Sequence, residues 1–212
     1  MVTPSINKNL GIQQRIPLSV LGAAFDDFVG QGVAPERIEE LLKEFYSGAN
    51  RIVKARRQIC ACLSRSRLTP WLESHRDSLA AAAASDIDRR LILSAVICAR
   101  YSFCYDIAVI FARQFRIRDE ISSELLDNLI GQKYGYNAST RNSRNCAVPQ
   151  LIEAGLVGRV KPSVFKSAAP LEPKHAVTRQ IWEECYFINE PLASREDVAD
   201  LPFEPFFRYL HL

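Results

Sequence analysis

The sequence predicts a predominantly α-helical fold that closes on a small β-hairpin. Three observations carry that expectation. Apolar residues recur at three- and four-residue spacing from Pro17 to about Arg116, with glycine or proline at many of the breaks. A short capped helix follows from Ser122. Beyond Gly155, "LVGRVKPSVFKSA" alternates well enough for two short strands.

Each helix has its own justification. Residues 17–29 place Leu18, Leu21, Phe25 and Phe28 on one stripe, and Gly30 and Gly32 stop it. Pro35 suits a first helical position, where a missing N–H costs nothing. Behind it Ile38, Leu41, Leu42 and Phe45 form the next stripe, ended by Gly48. From Ala49 to about Ser64 the inward residues are Ile52, Val53, Ile59 and Leu63. Thr69-Pro70 reads as a cap and a proline start, opening one helix through Trp71, Leu72, Leu79 and the alanines 80–84. The most apolar run, residues 91–112, is about as long as a membrane span. Arg100 and Asp106 fall in its middle, each expensive in hydrocarbon, so two consecutive core helices or one bent helix are expected and no membrane.

A second unit starts near Ile117. Residues 122–135, "SSELLDNLIGQKYG", make a short capped helix, and a break at 135–138 precedes "STRNSRNCAVPQLIEAGLVGRV". Helix, turn, helix and a basic two-stranded appendage is the order of a winged helix-turn-helix. The expected division is therefore a helical domain at 1–116 and a winged-helix-like domain at 117–212. The latter ends in an acidic, aromatic tail with one helix around 178–187. Phe203, Phe206, Phe207 and Tyr209 of that tail are expected to pack back onto the body, with an exposed patch for a protein partner as the alternative.

A formal charge of +3 on 212 residues says little, but its distribution says more. Residues 51–67 hold six bases and no acid; residues 131–166 hold six more against Glu153 alone. A phosphate backbone selects such segments, and a solvated helix face is the bland alternative. In the second segment Ser139, Thr140, Arg141, Asn142, Ser143, Arg144 and Asn145 supply the side chains that read base edges from the start of a helix. Gly155 stands where a left-handed cap would end that helix. Arg159 and Lys161 on the appendage, and Lys133 on the helix before, would meet phosphates. Arg51, Lys54, Arg56 and Arg57 form a possible second basic patch. Two features resist. Arg144 shares a face with Val148 and Leu151, the core side, and Pro149 should kink or interrupt the helix, turning Asn142, Ser143 and Cys146 outward.

Signs of catalysis are thin. There is no phosphate-cradling glycine loop and no His-Glu-x-x-His, and His75, His175 and His211 are widely separated. The six cysteines lack zinc-knuckle spacing and read as buried free thiols, so no metal and no cofactor are expected. The polar start of the chain has no apolar signal segment, which together with free thiols gives a cytoplasmic expectation.

The order of these parts, with "LLDNLIGQKYGYNASTRNSRNCAVPQLIEAGLVGRVKPSVF" as its most specific piece, resembles the small BrxA component of bacterial BREX phage-defence systems. That resemblance covers most of the chain. It implies two helical domains joined by a small β element and DNA binding without catalysis, within a system that methylates host DNA and blocks phage replication. It also leaves RNA open, since that family has been likened to an RNA-binding antitermination fold. The expectation is a non-catalytic accessory protein that binds double-stranded DNA with low sequence specificity. The competing expectation is an adaptor contacting other proteins of a defence complex.

Overall fold

The apolar stretch around residue 100 sets the architecture. In the structure, a computed structural model that describes residues 10–211, it forms two helices, α6 (Asp86–Arg100) and α7 (Ser102–Gln114). They bend by 118° at Tyr101, so the pair is the hub of the core. No single helix among the described residues is long and apolar enough to cross a membrane. Before the hub come α1 (Leu18–Gly30), α2 (Pro35–Leu42), α3 (Ala49–Ser64), α4 (Thr69–Ser74) and α5 (Arg76–Ala82). After it come β1 (Glu120–Ser122), α8 (Ser123–Tyr134), α9 (Ala138–Glu153), β2 (Val157–Lys161), β3 (Val164–Ser167) and α10 (Ala176–Asn189). Two 3₁₀ turns, Val198–Phe203 and Pro205–Tyr209, finish the chain.

The C-terminal elements pack on the hub itself. Trp182 of α10 is fully buried and donates its indole N–H to the Leu91 carbonyl of α6 at 3.0 Å. Phe206 stacks on Trp182 (ring centroids 4.4 Å apart) and lies against Tyr105 of α7, while the Tyr209 hydroxyl donates to the Ala108 carbonyl at 2.7 Å. Phe207 is buried too, but Phe203 is 79% exposed, so three of the four tail aromatics fold inward. One hydrophobic cluster runs from Ile12 to Leu210, so the division expected at residue 117 does not separate two cores.

Asp88 anchors the start of α10. This fully buried carboxylate accepts the backbone N–H groups of Lys174 (3.0 Å) and His175 (3.2 Å) and faces His175 Nδ1 at 3.1 Å. Burial alone would raise its pKa; polar groups of Thr178, His175 and Ser85 and the His175 N–H favour the anion, outweigh burial and hold the pKa below the ordinary value.

Several local expectations are corrected. The helix expected through 69–84 is broken at His75, whose Nδ1 lies 2.9 Å from the Trp71 carbonyl that a continuing helix would use. The His75 ring stacks on Trp71, a packing role. Thr69 does not cap α4: its hydroxyl accepts from Ser66 N–H and donates to the Leu63 carbonyl, tying the end of α3 to the start of α4. Phe45 lies beyond the end of α2 and is 45% exposed. Residues 1–9, most of the polar N-terminal stretch, lie outside the described residues.

Candidate nucleic-acid interface

The second basic segment is built by α8, α9 and the hairpin. Ser122 caps α8, accepting from Leu125 N–H at 3.1 Å, and Gly135 ends it at φ 90°. Asn137 then caps α9 by accepting Thr140 N–H at 2.9 Å, so the cap lies just ahead of the expected Ser/Thr start. At the other end Gly155 (φ 76°) closes the helix: its N–H reaches the Ile152 carbonyl, and Leu156 N–H reaches Leu151. This paired closure is a Schellman motif, and it launches β2 directly.

Pro149 does not break α9, which is continuous from Ala138 to Glu153. A proline at 149 deprives the Asn145 carbonyl of its donor. Asn145 is exposed, so water can take that place.

β2 and β3 form the hairpin, and β1 adds to β3, giving the antiparallel order β1-β3-β2. Ile121 opposes Phe165, and Arg159 opposes Phe165 on the other side. Phe165 is buried edge-on against Phe111 of α7, which seats the sheet on the hub. Pro162 and Ser163 (φ 65°) make the turn, and the Ser163 carbonyl accepts Ser123 N–H at 2.8 Å, joining the hairpin tip to α8.

Within this frame the expected contact residues separate into three groups. Arg141, Asn142 and Asn145 are exposed on one face of α9, with Ser139 near the edge of that face. Arg159 and Lys161 are exposed on the hairpin, the former with its guanidinium 5.8 Å from the Phe165 ring. Neither they nor Arg141 has an acid partner among the described residues.

A second group is already neutralised. Arg144 is turned inward, as its core-side position implied, and its Nε and Nη2 each lie 2.9 Å from the two oxygens of Asp127 on α8. Lys133 pairs with Asp106 at 2.7 Å, and that carboxylate also accepts the Tyr134 hydroxyl. The two carboxylates were not read from sequence as partners, because they stand 17 and 27 positions away.

The third group is buried and is a correction. Thr140 is 5% exposed, and Ser143 is 2% exposed with its hydroxyl donating to the Ile12 carbonyl at 2.7 Å. Cys146 is buried too, so neither it nor Ser143 faces out. What covers Ser143 is a strap, residues 10–16, that runs beside α9 and ties to its last residue through the Arg15–Glu153 pair at 3.0 Å. Asn142 Nδ2 also donates to it, at the Gln13 carbonyl (3.4 Å).

A groove of about 260 Å³ joins α9 to the hairpin, with Asn145, Arg144 and Arg159 among its walls. The strap in turn reaches the first basic segment: Gln14 N–H donates to Gln58 Oε1 of α3 at 2.9 Å. There Arg51, Lys54 and Arg57 are exposed without ion pairs among the described residues, whereas Arg56 pairs with Glu39 of α2 at 2.8 Å. Both basic segments therefore border one strap.

The six cysteines are free, and no cluster able to hold a metal occurs among the described residues. Burial raises every thiol pKa, Cys146 to about 11 and Cys98 to about 12, which disfavours the nucleophilic thiolate. Comparison with protein-family models, curated protein sequences and solved structures yields no match for this chain.

Proposed function

We propose that the outward face of α9 and the adjoining hairpin bind duplex nucleic acid, with double-stranded DNA as the expected partner, low sequence specificity and no catalysis. This is the role the BREX resemblance implies. In this reading α7, α8 and α9 are the helices of a winged helix-turn-helix, and β2–β3 is its wing. One observation carries the proposal: Arg141 on the helix and Arg159 and Lys161 on the hairpin are exposed with no acid partner among the described residues, and Arg159 lines the groove that helix and hairpin share. Cations without local partners are what a phosphate backbone rewards.

Arg144 and Lys133 serve the frame in this account, Thr140 serves the cap at Asn137, and Ser143 anchors the strap. Low specificity follows from the same geometry. With Ser143 covered and Asn142 tied to Gln13, few side chains of the first turns are left to read base edges. The adaptor reading needs an apolar patch along 203–209, and burial of Phe206, Phe207 and Tyr209 removes most of it.

The test is a titration of the protein against labelled duplex DNA, single-stranded DNA and duplex RNA, beside an Arg141→Glu/Arg159→Glu variant. Duplex DNA binding that the variant loses supports the proposal. Preference for duplex RNA moves the partner to RNA, and absence of all binding at low salt refutes it.

A further inference from the structure

On the α3 side of the strap lies a cleft of about 700 Å³ whose walls include Gln13, four arginines (Arg57, Arg65, Arg67 and Arg100) and, among the described residues, no acid. Two come from α3 and the turn after it, a third from that same turn, and Arg100 from the last turn of α6. None makes an ion pair among the described residues. A concave space of this size suits a small molecule, whereas a duplex is a broad convex cylinder.

Mutual repulsion of four guanidinium groups needs an explanation. Arg100 has a structural one, since a cation in the last turn complements the end of α6. Arg65, the C-cap of α3, has the same explanation, but Arg57 lies mid-helix and Arg67 two residues past the cap, where that balance is lost or weak.

Two independent features point to an anion. Gln58, only 8% exposed, is part of the cleft wall, and its Nε2 has no hydrogen-bond acceptor among the described residues although its Oε1 is used by Gln14 N–H. A buried amide donor left unpaired costs stability unless a ligand completes it. The 13-residue α7 also opens onto the cleft at Ser102, and no side chain caps it. Its first N–H groups and the positive end of its dipole therefore lie beside the arginines.

We infer that this cleft is a binding site for a compact anion with adjacent phosphate groups, held by Arg57, Arg65, Arg67 and Arg100 and by the Gln58 amide. Such a ligand is either a free nucleoside polyphosphate or the end of a nucleic-acid strand, which present the same chemistry. The inference does not depend on duplex binding by α9, because the residues are different.

Calorimetric titration of the full chain with tripolyphosphate, ATP and a short single-stranded oligonucleotide tests it. Three proteins are compared: the wild type, Arg65→Glu/Arg67→Glu, and Gln58→Glu, which keeps the acceptor for Gln14 but replaces the donor by a negative charge. Folding of each variant is checked by its melting temperature. Binding of tripolyphosphate and ATP, weakened at least tenfold in both variants, supports the site with a free polyphosphate as ligand. Binding of the oligonucleotide alone, with the same loss, supports it with a strand as ligand. Absence of binding by all three probes, or binding indifferent to both variants, overturns it. Arg141→Glu/Arg159→Glu keeps tripolyphosphate affinity within about twofold, so failure here and failure of the duplex proposal are separately visible.

Discussion

Replacing Asp88 by Asn removes a charge from the most deeply placed carboxylate of the fold while nearly keeping its shape. Asp88 accepts two backbone N–H groups at the entrance to α10 and faces His175 Nδ1, all with its side chain fully buried. A hydrogen bond to a charged acceptor is worth about 1.5 kcal/mol net, so the two backbone bonds together contribute about 3 kcal/mol. The asparagine keeps one acceptor oxygen and turns an NH₂ toward the remaining donors. The expected loss at pH 7 is about 2–4 kcal/mol, or a fall in Tm of roughly 4–16 °C for a chain of this size. pH supplies a second check. The folded pKa of Asp88 is depressed, so the unfolded chain takes up this proton first as pH falls. Its stabilisation is complete above the unfolded pKa, about 3.9, and is lost as pH drops through the lower folded value. Urea unfolding at pH 7 and at descending pH measures the gap between wild type and Asp88→Asn, which should close only below about pH 4. An asparagine variant as stable as wild type at pH 7, or a gap unchanged down to pH 3, would refute the reasoning.

Three further outcomes follow from the second unit. Gly155→Ala places a Cβ at φ 76°, 2.7 Å from Arg90 Nη1, and should cost about 1–2 kcal/mol in urea unfolding. Ser143→Ala leaves the buried Ile12 carbonyl without its donor; a loss of about 1–2 kcal/mol and faster hydrogen exchange at residues 12–14 are expected. Pro149→Ala restores an N–H for the Asn145 carbonyl inside an unbroken helix, and thermal unfolding should show a gain of about 1–3 kcal/mol.

Much of this fold is legible in the chain because local signals and tertiary packing agree. Ser122 and Gly135 bracket α8 as their chemistry requires, and Gly155 takes the left-handed cap expected of it. Arg100 and Asp106 argued correctly against a straight span, and the structure bends the pair at Tyr101. Where sequence reasoning fell short, a distant group decided. β1 is three residues long, and only its pairing with β3 makes it a strand. Periodicity put Arg144 on the core side, yet only the position of Asp127 on α8 shows how that charge is met. Ser143 looked like a base-reading side chain until the strap at Ile12 was seen to cover it. Arg100 read as an obstacle to membrane insertion; its place beside Arg57, Arg65 and Arg67 emerges only when α3 meets the bend between α6 and α7.

The central claim is that Arg141, Arg159 and Lys161 meet a phosphate backbone, and the salt dependence of duplex DNA binding tests it most directly. About three neutralised phosphates should give a slope of log K against log salt near −3. Arg141→Glu/Arg159→Glu should make that slope shallower by about 2 and weaken low-salt binding by a hundredfold or more. A wild-type affinity independent of salt, or a variant with the slope and affinity of wild type, would contradict the account.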